Sequence, residues 1–158
     1  MTPVKTMSAK PPAQPLPPED SVELHENLWE GLQGLSEAVK ASAGTVLFRE
    51  GDPVRGLFLL GKGAVRLSLG KKGKSITYRV VQPKYVLGLP ATLLNRPYSL
   101  TAEVIEDSEL RFVEWAKAMD YLKERPDMCM HVLEFLSHEM VWIRHVHAAQ
   151  VGEGSGRS

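Results

Sequence analysis

The run A-G-T-V-L-F-R-E-G-D-P-V-R-G-L-F-L-L-G-K-G-A-V-R-L-S-L, Ala43 to Leu69, decides the fold. Its apolar stretches, Thr45–Phe48, Leu57–Leu60 and Ala64–Leu69, are strand-length. Turn signals separate them, Glu50-Gly51-Asp52-Pro53 and Gly61-Lys62-Gly63. The same rhythm continues through Ile76–Val81, Leu100–Ile105 and Leu110–Val113, broken at Gly70-Lys71-Lys72-Gly73 and at Glu106-Asp107-Ser108. Short strands at close intervals, with no crossover helices of βαβ length between them, predict a mainly β architecture with flanking helices. The expected form is an antiparallel β-roll of the double-stranded jelly-roll kind, spanning about residues 44–114.

Helical signals flank the roll. Before it, Asp20 or Ser21 is a candidate cap with Glu23 as capping-box partner. Leu24, Leu28, Leu32 and Leu35 then follow on one face, and Gly31 and Gly34 mark the break-up of that helix. After the roll, a short helix is expected over residues 116–123, stopped before Pro126. A long amphipathic helix then runs over about 126–149, roughly 35 Å at 1.5 Å per residue. Val132, Leu136, Met140, Ile143 and Val146 line one face of it, more apolar length than a small roll can cover. The expectation is a dimerisation helix that meets its own copy in a homodimer. Residues 1–19 carry most of the prolines and read as a disordered leader, and 152–158 (GEGSGRS) as a flexible tail, leaving 20–151 as one domain.

Composition narrows the function classes. The chain has 158 residues, 43% of them apolar, enough for a single core. Its 19 basic and 19 acidic residues balance, which argues against nucleic-acid binding by bulk charge. The lone Cys129 excludes a disulfide framework and multi-cysteine metal sites. No apolar run reaches the roughly 18 residues of a membrane span, and the N-terminus lacks a signal-peptide core. A cytoplasmic protein without membrane contact is expected.

The stretch from Ala43 to Leu69 resembles the opening of a cyclic-nucleotide-binding domain, with Gly44, Gly51 and Gly63 at that family's turn glycines and Leu57-Phe58-Leu59 at its central strand. Glu106 to Leu110 (EDSEL) resembles the turn into its last roll strand, and the helix after Pro126 resembles the dimerisation helix of Crp/Fnr-type bacterial regulators. The resemblance implies a ligand site at Gly88 to Ala102. There a short helix presents N–H groups to a cyclic phosphate, a glutamate after the glycine accepts from the ribose, and an arginine on the next strand pairs with the phosphate.

This chain reads L-G-L-P-A-T-L-L-N-R-P-Y-S-L-T-A over Leu87 to Ala102. Gly88 is retained, but Leu89 stands at the glutamate position, and Ser99, or Tyr98 in a shifted register, stands at the arginine position. Pro90 offers no N–H. Loss of two charge-assisted contacts, each on the order of 1.5–3 kcal/mol, predicts altered or lost cyclic-nucleotide binding. The candidate pocket is Gly88, Leu89, Pro90, Ala91, Arg96, Tyr98, Ser99 and Thr101, with Leu87, Leu93 and Leu94 making it apolar and suited to another small molecule, or simply a filled core.

Other constellations carry less. All five histidines, His25, His131, His138, His145 and His147, lie outside the strands, so cupin-type metal chemistry is not expected. His131, His138 and His145 recur every seven residues as a polar flank, with Glu134 placed to pair with His138. Lys62, Arg66, Lys71, Lys72, Lys74 and Arg79 make a basic hairpin that reads as a solvated edge. No nucleophile–base pair marks an enzyme. The helix-turn-helix that follows the dimer helix in Crp/Fnr regulators has no counterpart here, so no nucleic acid is expected to bind through this chain alone. The leading expectation is a sensor module of a Crp/Fnr-type transcriptional regulator that signals through its dimer helix. A ligand-free dimerisation or protein-interaction module and a true cAMP- or cGMP-binding domain are the alternatives.

Overall fold

The computed structural model describes residues 23–70 and 75–156, with side chains as far as His145. Two strands of 14 residues organise it, β3 (Gly56–Leu69) and β6 (Thr101–Glu114). They pair antiparallel along nearly their whole length, from Gly56 opposite Glu114 to Ser68 opposite Thr101. Two expected turns are therefore not turns. Gly61-Lys62-Gly63 lies inside β3 and Glu106-Asp107-Ser108 inside β6, and the register shifts between Leu60 and Val65. Gly63, at φ +105, faces Ser108, where any side chain would collide. Glycine serves there to bulge and bend a continuous strand pair rather than to end it.

The other strands attach to these two. β1 (Glu37–Ala41) and β2 (Val46–Phe48) pair with the two halves of β6. β4 (Ile76–Val81) and β5 (Tyr85–Leu87) pair with the two halves of β3, and every pairing is antiparallel. β1 and β5 were not expected. β1 is mostly exposed, and β5 is three consecutive buried residues, so neither carries the alternation that marks a half-buried strand. Leu57, Leu59, Leu60, Val65, Val81, Val104 and Leu110 fill the centre of the roll.

Helix α1 (Glu26–Gln33) starts later than the Asp20 or Ser21 cap implied. The ring of His25 caps it, Nδ1 accepting from the Asn27 N–H at 3.1 Å, while Glu23 lies ahead of the helix. Gly31 sits within the helix because any side chain there would strike the Tyr121 phenol. A short helix α2 (Leu89–Leu94) follows β5, α3 (Trp115–Glu124) follows β6, and α4 (Pro126–Gly156) closes the chain. α4 continues past the expected end near Ala149 through residues read as a linker. The proline-rich leader and Lys71, Lys72 and Lys74 lie outside the described residues.

Candidate functional site

A cavity of about 490 Å³ lies between the roll and α4. One wall is the segment from Gly88 to Leu100. Gly88, at φ +82, caps α2 in the left-handed region, and its carbonyl accepts from the Thr92 hydroxyl at 2.9 Å. Beyond α2, Tyr98 turns its ring onto Phe48, with centroids 3.9 Å apart, and packs closely against Gly88, where a Cβ would stand 3.0 Å from the Tyr98 ring. The Tyr98 hydroxyl donates to the Gly56 carbonyl at 2.6 Å and accepts from the Arg55 and Gly56 N–H groups at 3.1 and 3.2 Å. This side chain, 2% exposed, stitches the segment to the start of β3.

The opposite wall is α4, through Phe135, Leu136, Glu139, Met140 and Ile143. Glu139 is tied to the strands by three donated hydrogen bonds. Arg79 of β4 gives Nη1 to both carboxylate oxygens at 3.0 and 3.1 Å, and the Tyr85 hydroxyl of β5 donates to Oε1 at 2.6 Å. The Arg79 and Glu139 side chains are 5% and 13% exposed, so the pair is largely withdrawn from water. The Arg79 guanidinium lies 4.1 Å from the centre of the Trp142 ring, which meets Tyr78 edge-on, and Tyr85 meets Phe135 the same way.

These neighbours shift both phenols. Burial, reinforced by the Glu139 carboxylate against the opposing Arg79 charge, pushes Tyr78 up to about 12. Burial and the charge and hydrogen bond of Glu139 hold Tyr85 well above the ordinary phenol value. The cluster is neutral as a whole, with its one carboxylate facing the cavity.

Of the expected pocket residues, Gly88, Pro90, Ala91, Tyr98 and Ser99 line the cavity, as do Leu87 and Leu100. The rest do not. Leu89 is 2% exposed and belongs to the core, Arg96 is exposed and off the cavity, and Thr101 uses its hydroxyl to accept from the Glu50 N–H at 2.9 Å. Leu94 is 66% exposed.

The stripe on α4 expected to meet a partner helix borders this chain's own roll on one side and stays exposed on the other, Met140 at 53% and Ile143 at 43%. Val132 is buried, Leu136, Met140 and Ile143 line the cavity, and the Val146 side chain lies outside the described residues. Leu133, 58% exposed, lies seven residues before Met140 on the same side of the helix, and Met130 and Val141, exposed at 61 and 56%, lie farther round from the roll.

Arg79, Glu139, Tyr78 and Tyr85 were missed. Arg79 was counted with the basic hairpin, but it alternates with Val81 on the buried side of β4. Glu139 lies four residues after Phe135 on the apolar face of α4, a placement that signals a carboxylate drawn inward. Glu134 pairs with His131 at 3.0 Å rather than with His138, and the His131 ring stacks on His25 at 3.6 Å, joining α4 to α1. Cys129 is half-buried, and among the described residues no group of three His, Cys, Asp or Glu side chains is placed to hold a metal.

A short glycine-capped helix that faces a long C-terminal helix across a cavity in an antiparallel roll is the architecture of a regulatory binding domain. The sequence model of the cyclic nucleotide-binding domain matches residues 38–125, and the chain belongs to that family. The anaerobic regulatory protein of Bacillus subtilis (strain 168) is 29% identical over 122 residues, 76% of this chain and 51% of the relative, so the chain spans about half that protein's length. Among solved structures, the catabolite activator protein of Thermus thermophilus superposes with a TM-score of 0.65 at 20% identity, over 83% of this chain and 59% of that one. The sensor domain of the transcriptional regulator DNR from Pseudomonas aeruginosa gives 0.60 at 21% identity, over 74% and 79%. Family and fold are those of regulatory domains rather than of enzymes. No helix among the described residues is long and apolar enough to cross a membrane.

Proposed function

We propose that this chain is the effector-sensing domain of a Crp/Fnr-type regulator whose cavity between roll and α4 holds a small molecule other than a cyclic nucleotide. The observation that carries this reading is the cavity itself, closed on one side by α4 and joined to the strands through Glu139, Arg79 and Tyr85. A molecule in that space touches the roll and the helix at once, so its binding energy bears directly on how α4 sits, the differential contact a switch requires. Loss of cyclic-nucleotide binding is supported by Leu89 in the core, by Arg96 off the cavity and by Arg79, the nearby cation, being committed to Glu139. Among the described residues that line the cavity, a cyclic phosphate meets no free cation.

The dimer reading is supported by Met130, Leu133 and Val141, exposed apolar residues on α4, which suit a second copy of the same helix. The signal then passes along α4 across a two-fold axis to a partner helix.

Calorimetry and thermal-shift measurements test the reading. Cyclic AMP and cyclic GMP at about 1 mM should give no response, whereas screening of apolar metabolites should find a stabilising ligand. Strong cyclic-nucleotide binding, or silence across every ligand, overturns it. Light scattering should show a dimer at micromolar concentration, and Leu133→Glu should yield monomers.

A further inference from the structure

We infer that the cavity is built for an uncharged, ring-bearing molecule with one hydrogen-bond donor, and that the Glu139 carboxylate reads that donor. The inference rests on the proposal above that the cavity is an effector site. Glu139 is the one acidic or basic residue among the described residues that line it. Its counter-ion, Arg79, does not line the cavity. An incoming anion therefore meets acceptor oxygens and no donor cation, and an incoming cation has to compete with a guanidinium whose Nη1 already bridges both oxygens. Both are disfavoured in a site this apolar.

The carboxylate keeps one place open. Oε1 accepts from Arg79 and from Tyr85, whereas Oε2 accepts from Arg79 alone among the described residues. A carboxylate oxygen takes two donors, so Oε2 has room for one more. Arg79, which does not line the cavity, and Tyr85, which does, hold the group still, so little ordering remains for a ligand hydroxyl or N–H to bring about. The remaining surface is aliphatic and aromatic. Phe48, Tyr78, Tyr85, Tyr98 and Phe135 supply ring faces and edges, which favour a flat ring over a flexible polar ligand. A volume of about 490 Å³ accommodates two or three fused or linked rings.

Isothermal titration of the full chain with three naphthalenes tests this. 1-Naphthol carries the donor, 1-methoxynaphthalene lacks it and 1-naphthoate is an anion. The native chain should bind 1-naphthol about tenfold more tightly than 1-methoxynaphthalene, as for a hydrogen bond to a charged acceptor, and 1-naphthoate most weakly. Glu139→Leu combined with Arg79→Met removes both charges together, leaving neither unpaired, and should bring the first two ligands within about twofold of each other. Equal binding of all three by the native chain, a preference for 1-naphthoate or no binding of any of them overturns the inferred ligand class. Leu136→Trp, which fills the cavity, should abolish binding of each. Undiminished binding in that variant overturns the effector site itself.

Discussion

The two walls of the cavity use polar groups in opposite ways. On the segment from Gly88 to Leu100, Tyr98 turns its hydroxyl away from the cavity to satisfy three backbone groups at Arg55 and Gly56, and its ring closes over Phe48 and Gly88. On α4, Glu139 is held by Arg79 and Tyr85 yet still faces the cavity. The first wall has become scaffold, while the second has gained the polar group. This family places phosphate recognition on the first wall, and here that wall presents a proline, an alanine, a tyrosine ring and a serine. On the proposed reading, selectivity lies with the helix.

If the helix wall is a buried ion pair and the other a neutral hydrogen-bond anchor, their removal must differ in size. Glu139→Ala leaves the Arg79 guanidinium almost fully buried without a counter-ion and the Tyr85 hydroxyl without an acceptor. We expect a loss of about 3–5 kcal/mol in urea unfolding. Joint replacement, Arg79→Met with Glu139→Leu, should recover most of that loss, because the buried charge disappears with its partner. An equal loss in the single and joint variants breaks the account of this wall as an ion pair.

Tyr98→Phe keeps the ring stacked on Phe48 and removes only the hydroxyl. The Gly56 carbonyl loses its donor, and the N–H groups of Arg55 and Gly56 lose their acceptor. A loss of about 1–3 kcal/mol is expected, smaller than for Glu139→Ala. The reverse order in the same unfolding assay breaks the comparison and makes the Gly88–Leu100 segment the stronger clamp.

How far each wall could be read from the sequence follows from where its contacts come from. Gly88, Pro90, Ala91, Tyr98 and Ser99 sit within a dozen residues of one another, and a local motif brought them into view. The strand rhythm of the roll was legible for the same reason. The bends inside β3 and β6 were not, because a glycine at a bulge and a glycine at a turn look alike until the partner strand is in place. Arg79 and Glu139 are 60 positions apart, and nothing local marks them as partners. Only their positions betray them, each a charged residue on the buried side of its own element. The same applies to Leu136, Met140 and Ile143, which line the cavity while Met140 and Ile143 stay 53 and 43% exposed. Periodicity reveals that a face is apolar but not what covers it.

The smallest effect concerns pH and acts only in alkali. Tyr78 is held protonated up to about 12 and Tyr85 beyond the ordinary phenol range, in both cases by burial first and by the Glu139 charge next. In the unfolded chain both titrate near about 10. Below that pH both states keep the protons, and the contribution of these groups to stability is complete. Above it the unfolded state releases protons that the folded state retains, so stability falls as pH climbs through 10 toward 12 and past it. Phenolate absorbance should show these two tyrosines ionising later in the folded chain than in urea. In the joint Arg79→Met, Glu139→Leu variant, the burial contribution stays while both charges go. Because Glu139 raises Tyr78 more than Arg79 lowers it, Tyr78 should then titrate earlier than in the native chain. An unchanged midpoint would mean that burial alone holds the proton, and that the helix wall differs from the Tyr98 wall in packing rather than in charge.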